Sequence, residues 1–128
     1  MFAREYELIY IVRPDLPEED HETVSERTTK VIDERDGNLL RIDDWGNRKL
    51  AYEIQKFNKG HFVLFNFLGS PDVVAELERT LRIDDRVLRF LTVKLSDRVD
   101  VEVRVAAEEA RAAAAAAAVI PDGVGAQA

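Results

Sequence analysis

Few side chains in this sequence are equipped for bond-making chemistry, and those few are poorly assembled for it. There is no cysteine, which excludes disulfides, thiolate metal sites and cysteine nucleophiles. Of the two histidines, His21 sits in an acidic stretch where capping or solvation is its expected role. His61 follows Lys59-Gly60 at the start of an apolar run, as a surface group would. Neither has a companion at metal-ligand spacing. Asp43-Asp44 and Asp84-Asp85 are paired carboxylates, but neighbouring strand residues point to opposite faces, so the first pair cannot work in concert. The second reads as a turn between helix and strand. No glycine-rich nucleotide loop, P-loop or nucleophile elbow occurs. Catalysis is therefore not expected, and neither a cofactor, a metal nor a small-molecule substrate is implied.

Recognition chemistry is better represented. The stretch Asp44-Trp45-Gly46-Asn47-Arg48-Lys49-Leu50-Ala51-Tyr52-Glu53-Ile54-Gln55-Lys56 holds the only tryptophan, an adjacent cation pair and a glycine inside a strand-like run. A glycine there signals a bulge or a close backbone approach. Cations beside Trp45 and Tyr52 suit phosphates and bases. The competing reading is an edge strand whose charges only discourage aggregation.

Net charge alone opposes a polyanionic partner: it is −7 over 128 residues. Its distribution does not. Nine acids and three cations lie between Asp15 and Asp36. From Arg41 to Lys59 there are five cations against three acids, and from Arg79 to Lys94 five against two. One element is acidic and two others mildly basic, so one edge can meet a polyanion while the acidic element faces water or a basic protein. The apolar content of 46% supports one packed domain. The N-terminal residues show no signal-peptide pattern, and no run approaches the ~20 apolar residues of a spanning helix. A soluble, cytoplasmic protein without a membrane partner is expected.

These residues must be positioned by a small set of elements. Tyr6 to Arg13 is β-branched and aromatic, apolar at nearly every position, and stops at Pro14, as a central strand does. Pro17 opens a helix with Glu18, Glu19 and Asp20 in its first turn and Val24, Thr28, Val31 and Ile32 as its apolar stripe. A second strand runs from Asn38 to about Gln55, with a bend expected at Gly46 because strands average only ~5–6 residues. Phe57-Asn58-Lys59-Gly60 reads as a turn, and His61 to Leu68 as a third strand. Ser70 and Pro71 start a second helix buried through Val73, Val74, Leu77 and Leu81. Val87 to Leu95 is the fourth strand.

The order β-α-β-β-α-β with right-handed crossovers predicts an α+β, ferredoxin-like sandwich: a four-stranded antiparallel sheet with two helices on one face. The first and third strands should be central and the other two the edges. Residues 1–96 form this domain. Residues 97–128 are an alanine-rich tail, flexible or partly helical, in which Val99, Val101, Val103 and Val105 alternate with polar residues as a short extended segment would.

With Leu8, Tyr10 and Val12 under the helices, Ile9 and Ile11 must face the other way. The third strand offers two alternating sets, Val63-Phe65-Phe67 and Phe62-Leu64-Asn66, so either choice leaves large apolar groups on the open face. Such a patch marks a binding surface, unless the tail or a second copy covers it. Aromatics on this face can stack bases, but the aliphatic neighbours of Phe62 suit protein contact better. The expectation is a protein partner on the sheet and RNA backbone at an edge.

Trp45 to Lys56 followed by Gly60-His61-Phe62 resembles the signature of the bacterial small-subunit ribosomal protein S-six family. Tyr6-Glu7 before an apolar strand, and Leu81-Arg82-Ile83-Asp84-Asp85-Arg86-Val87-Leu88-Arg89, match its other characteristic stretches. The likeness runs from about Phe2 to Leu95, three separate motifs make it specific, and Glu53 stands where many relatives carry proline. The resemblance implies a ferredoxin-like structural constituent of the small ribosomal subunit. It would bind the central domain of the small-subunit ribosomal RNA together with the small basic ribosomal protein S-eighteen. It also implies RNA contact at Arg48, Lys49 and Lys56, with Arg86 and Arg89 as lesser candidates, and contact with the partner protein at Trp45, Phe62 and Leu64. A free-standing RNA-binding or regulatory module of the same fold remains the alternative.

Overall fold

The computed structural model describes residues 1–118. Its elements are β1 (Phe2–Val12), α1 (Glu18–Glu34), β2 (Asn38–Ile54), β3 (Phe57–Gly69), α2 (Pro71–Arg82), β4 (Val87–Asp100) and α3 (Val101–Ala118). The strands form one four-stranded sheet in the order β2-β3-β1-β4, with every neighbouring pair antiparallel. The two most apolar strands are central, and the charged ones take the edges. This is the expected ferredoxin-like arrangement.

The period-2 alternation of β1 and β3 sets which residues enter the core. Leu8, Tyr10 and Val12 face Val63, Phe65 and Phe67, and this layer packs on Val24, Val31 and Ile32 of α1 and Val73, Leu77 and Leu81 of α2. Leu8, Ile32, Phe65, Phe67 and Leu77 are wholly buried. Side chains of this kind contribute about 1.5–3 kcal/mol each, so the core is ample to hold the sheet against its helices. Thr28, the one polar member of the α1 stripe, donates its hydroxyl to the Val24 carbonyl at 2.9 Å and can therefore be buried. The acids opening α1 complement the positive end of its dipole.

Three features depart from the sequence reading. The β2–β3 turn lies at Gln55-Lys56, not at Phe57 to Gly60, so β3 begins four residues earlier than expected. Gln55 and Lys56 have φ of 50° and 72°, the two-residue hairpin geometry that matches strand twist. Neither residue is the glycine or asparagine that normally announces it. Gly60 lies within β3 because the Ile11 side chain crowds it: a Cβ there would sit 2.3 Å from Ile11 Cγ2.

Second, β4 runs on to Asp100, past Leu95 where the fourth strand was expected to end. Third, the valine alternation beyond it is not extended. Asp100 Oδ1 accepts the Val103 amide at 3.1 Å and the Met1 carbonyl accepts the Val101 amide at 2.9 Å, so Asp100 caps α3 and the chain turns into helix. That helix lies across the face of the sheet opposite α1 and α2, since its Arg104 reaches Glu5 and Asn66, which alternate with the core residues of β1 and β3.

Candidate nucleic-acid and protein interface

The tryptophan segment forms one rim of the sheet. Between Asp44 and Gly46 the β2–β3 register slips, with Asp44 opposite Val63 and Gly46 opposite Phe62. Trp45 is the extra residue of this bulge. Gly46 is required here by its φ of +73°, not by crowding, since nothing lies within 4 Å of a Cβ built on it. Its amide donates to Asp44 Oδ1 at 2.8 Å, which fixes the bend. The bulge turns the indole onto the open face, where it stacks on Phe62 with ring centroids 6.2 Å apart and planes 13° from parallel. Arg48 donates from Nε to the Trp45 carbonyl at 3.1 Å, and its guanidinium carbon lies 6.0 Å from the indole centroid.

Past the bulge, Lys49 stands directly opposite Lys59 across the β2–β3 ladder. Both are exposed. Like charges in that position repel and weaken the pairing unless something neutralises them. Lys56 is at the hairpin tip. On the far edge, Arg89 of β4 donates to the Tyr52 hydroxyl at 2.6 Å and its guanidinium lies 5.6 Å from that ring, spanning from β4 to the hairpin. Among the described residues, no carboxylate lies within salt-bridge distance of Arg48, Lys49, Lys56, Lys59 or Arg89. Three of the five cations expected at an RNA interface therefore lie along the β2–β3 hairpin and a fourth, Arg89, reaches it from the opposite edge; among the described residues all four are exposed and free of carboxylate partners.

The fifth, Arg86, is placed otherwise. Its Nε and Nη2 each donate to Asp84 at 2.9 Å, its amide donates to the same carboxylate at 2.9 Å, and Nη1 lies 3.5 Å from Asp20. Burial alone would raise the Asp84 carboxyl, but the Arg86 guanidinium and amide outweigh it and hold the group below the usual carboxylate range. Arg86 ties the α2–β4 turn to α1, and Arg27 adds a bond to Asp84 at 3.1 Å. Its donors point at its own chain.

His61 also works within the fold. Its Nε2 is 2.7 Å from Asp44 Oδ1, and its ring stacks on His21 of α1 at 4.2 Å. Burial, then the neighbouring His61, pushes the His21 imidazole below its ordinary value. The pair fastens the acidic helix to the base of the hairpin.

The open face is divided by α3. Toward the Phe2 end of β1, Arg104 donates to both Glu5 oxygens at 3.1 and 3.3 Å, to Asn66 Oδ1 at 3.2 Å and to Glu108 at 3.4 Å. Asn66 in turn donates to the Tyr6 carbonyl at 3.1 Å. Glu108 is only 5% exposed and also accepts from Arg111 at 2.8 Å. Toward the other end the face is bare. Leu91 and Val93 of β4 are 59% and 42% exposed beside the half-buried Ile9 and Phe62, and Trp45 and Tyr52 are exposed at the edge. Of the three residues expected to meet a protein partner, Trp45 and Phe62 flank this bare half. Leu64 does not: it is 5% exposed, buried by its own chain.

Sequence reasoning missed the Arg104 cluster and the Asp84–Arg86 pair. The Arg104/Glu108 spacing of four, following Asp100, was the available signal for the first.

Residues 5–94 match the family model described as ribosomal protein S6. Among curated relatives, the small ribosomal subunit protein bS6 of Caldanaerobacter subterraneus subsp. tengcongensis is 50% identical over 94 residues, covering 73% of this chain and 99% of that one. The bS6 of Trichlorobacter lovleyi is 46% identical over 100 residues, 78% of this chain and 82% of its own. That of Desulfatibacillum aliphaticivorans is 46% identical over 99 residues, 77% of this chain; the match spans only 54% of that longer relative. Among solved structures, the 30S ribosomal protein S6 of Thermotoga maritima superposes with a TM-score of 0.69 at 32% identity, covering 85% of this chain and 98% of that one. The C-terminal domain of the MgtC protein from Mycobacterium tuberculosis superposes at 0.54 with 14% identity, covering 73% of this chain and 89% of that one, and shares the fold alone.

Proposed function

The chain belongs to the ribosomal protein S6 family of the small ribosomal subunit, and from that premise we propose that it binds the central domain of the small-subunit ribosomal RNA as a pair with the basic protein S-eighteen. The family is structural and not enzymatic. Arg48, Lys49, Lys56 and Arg89 meet phosphates, and Arg86 holds the turn beneath Arg89. Trp45 and Phe62 form the apolar border shared with the protein partner, and Leu64 supports it from below.

The observation that carries this reading is the unneutralised rim. Lys49 and Lys59 face each other across the ladder with Arg48 alongside, an arrangement unfavourable for the isolated chain and favourable once a phosphate lies between the ammonium groups. The −7 charge of the whole makes unassisted RNA binding weak, while a basic partner on the bare sheet supplies the missing cations. The test is binding to a central-domain RNA fragment with and without purified S-eighteen at fixed salt. Weak binding alone and tight binding together is the expected result. Equally tight binding without the partner would favour a free-standing RNA-binding module.

A further inference from the structure

The way α3 sits on the sheet shows what else the sheet can hold. The guanidinium of Arg104 occupies a seat whose floor is Asn66, 3% exposed, and whose wall is the carboxylate of Glu5, with a side chain 12% exposed. Two carboxylate oxygens and one amide oxygen converge there on a planar fork of donors, geometry that an arginine fills and a lysine cannot. Further acids lie on the same face, Glu7 of β1 and Asp43 of β2, whose register partners are Asn66 and Leu64. The helix that delivers Arg104 has few large apolar side chains to bury. Val101 and Val105 are half-buried, Val103 is 66% exposed, and Ala106, Ala107 and Ala110 are exposed. Polar contacts in place of apolar area mark a segment that opens readily.

Resting on the reading that a basic protein docks on this sheet, we propose that the Glu5–Asn66 half of the face is a receptor for an arginine-bearing helix, which α3 occupies within the chain and a partner's helix takes over. The bare strip beside it (Ile9, Leu91 and Val93) gives the incoming helix an apolar foothold before exchange. Charge complementarity selects a cationic occupant, because the face offers Glu5 and Glu7, with Asp43 already paired with Arg41 at 3.3 Å. A partner helix that brings its own guanidinium to the seat leaves no buried carboxylate unpaired.

The test uses full-length chains and purified S-eighteen as the probe. Affinity is measured for the wild type, Arg104→Ala and Glu108→Gln, the last loosening α3 without altering the sheet. Amide hydrogen exchange of α3 is followed in the same complexes. Both variants should bind up to about tenfold tighter, the factor expected when an occluded state populated at ~90% is removed. In the wild type, α3 amides should lose protection on binding while β1 and β3 amides keep theirs. Unchanged or weaker binding by both variants, or α3 protection that persists in the complex, would overturn the exchange while leaving the docking intact. Failure of every chain to bind would overturn both.

Discussion

Replacing Asp84 by asparagine should destabilise the fold strongly, because this carboxylate is the hub of the α2–β4 turn. It accepts from the Arg86 amide, Nε and Nη2 at 2.9 Å each and from Arg27 Nη1 at 3.1 Å, and it is 9% exposed. Hydrogen bonds to charged groups are worth about 1.5–3 kcal/mol each, although members of one network do not add. The Arg27 bond is discounted further, since that side chain is 47% exposed and screened by water. Asparagine keeps one acceptor oxygen but turns an amide toward a guanidinium. The expected loss is about 2–3 kcal/mol, or roughly 7–12 °C in Tm for a domain of this size. The pH dependence gives a second handle. The folded carboxyl is held below its unfolded value, so its stabilisation is present above ~4 and is lost as pH falls through the folded value. Thermal unfolding followed by circular dichroism at pH 7 and pH 3 should therefore show a wide gap between wild type and variant that narrows in acid. A gap below about 0.5 kcal/mol at pH 7, or one that persists undiminished at pH 3, would refute the assignment of Asp84 as a charged hub.

Further outcomes follow from the same geometry. Gly60→Ala should cost more stability than Gly46→Ala by denaturant unfolding. The first forces a methyl to 2.3 Å from Ile11 Cγ2, while the second meets only the positive-φ penalty of about 1–2 kcal/mol. His21 is held low in the fold, so the unfolded chain takes up its proton first and stability falls as pH drops below ~6.5; His21→Gln should flatten the Tm profile between pH 7 and 5.5. Arg86→Ala should lower Tm while leaving the salt dependence of RNA binding unchanged, because its donors are committed to Asp84 and Asp20. A reduced salt slope in that variant would return Arg86 to the interface.

The sandwich itself could be read from periodicity. The α1 stripe of Val24, Thr28, Val31 and Ile32 is the set buried in the structure, and the β-α-β-β-α-β sequence of elements put the first and third strands at the centre, in agreement with their apolar character. The bulge was legible too, because only a glycine adopts the φ of Gly46 cheaply. What escaped had an ambiguous local signal or a distant partner. Gln55 and Lys56 take left-handed φ without the usual residues, so the hairpin tip was placed too late. The valine alternation after Ser96 imitates a strand and masks the local helix signs, the Asp100 cap and the Arg104–Glu108 spacing, while the seat of Arg104 on Glu5 and Asn66 lies far away in sequence. Arg86 and Arg89 look alike as letters. One is held by a carboxylate two residues before it, and the other is left to stack on Tyr52.

The most direct measurement is the salt dependence of assembly on central-domain RNA with S-eighteen present, comparing wild type with Arg48→Ala/Lys49→Ala. Each lost phosphate contact should lower the log–log slope by about 0.7–0.9, so the double variant should bind more weakly with a slope reduced by roughly 1.4–1.8. Weaker binding with an unchanged slope, or no change in either quantity, would contradict the claim that this rim meets the polynucleotide.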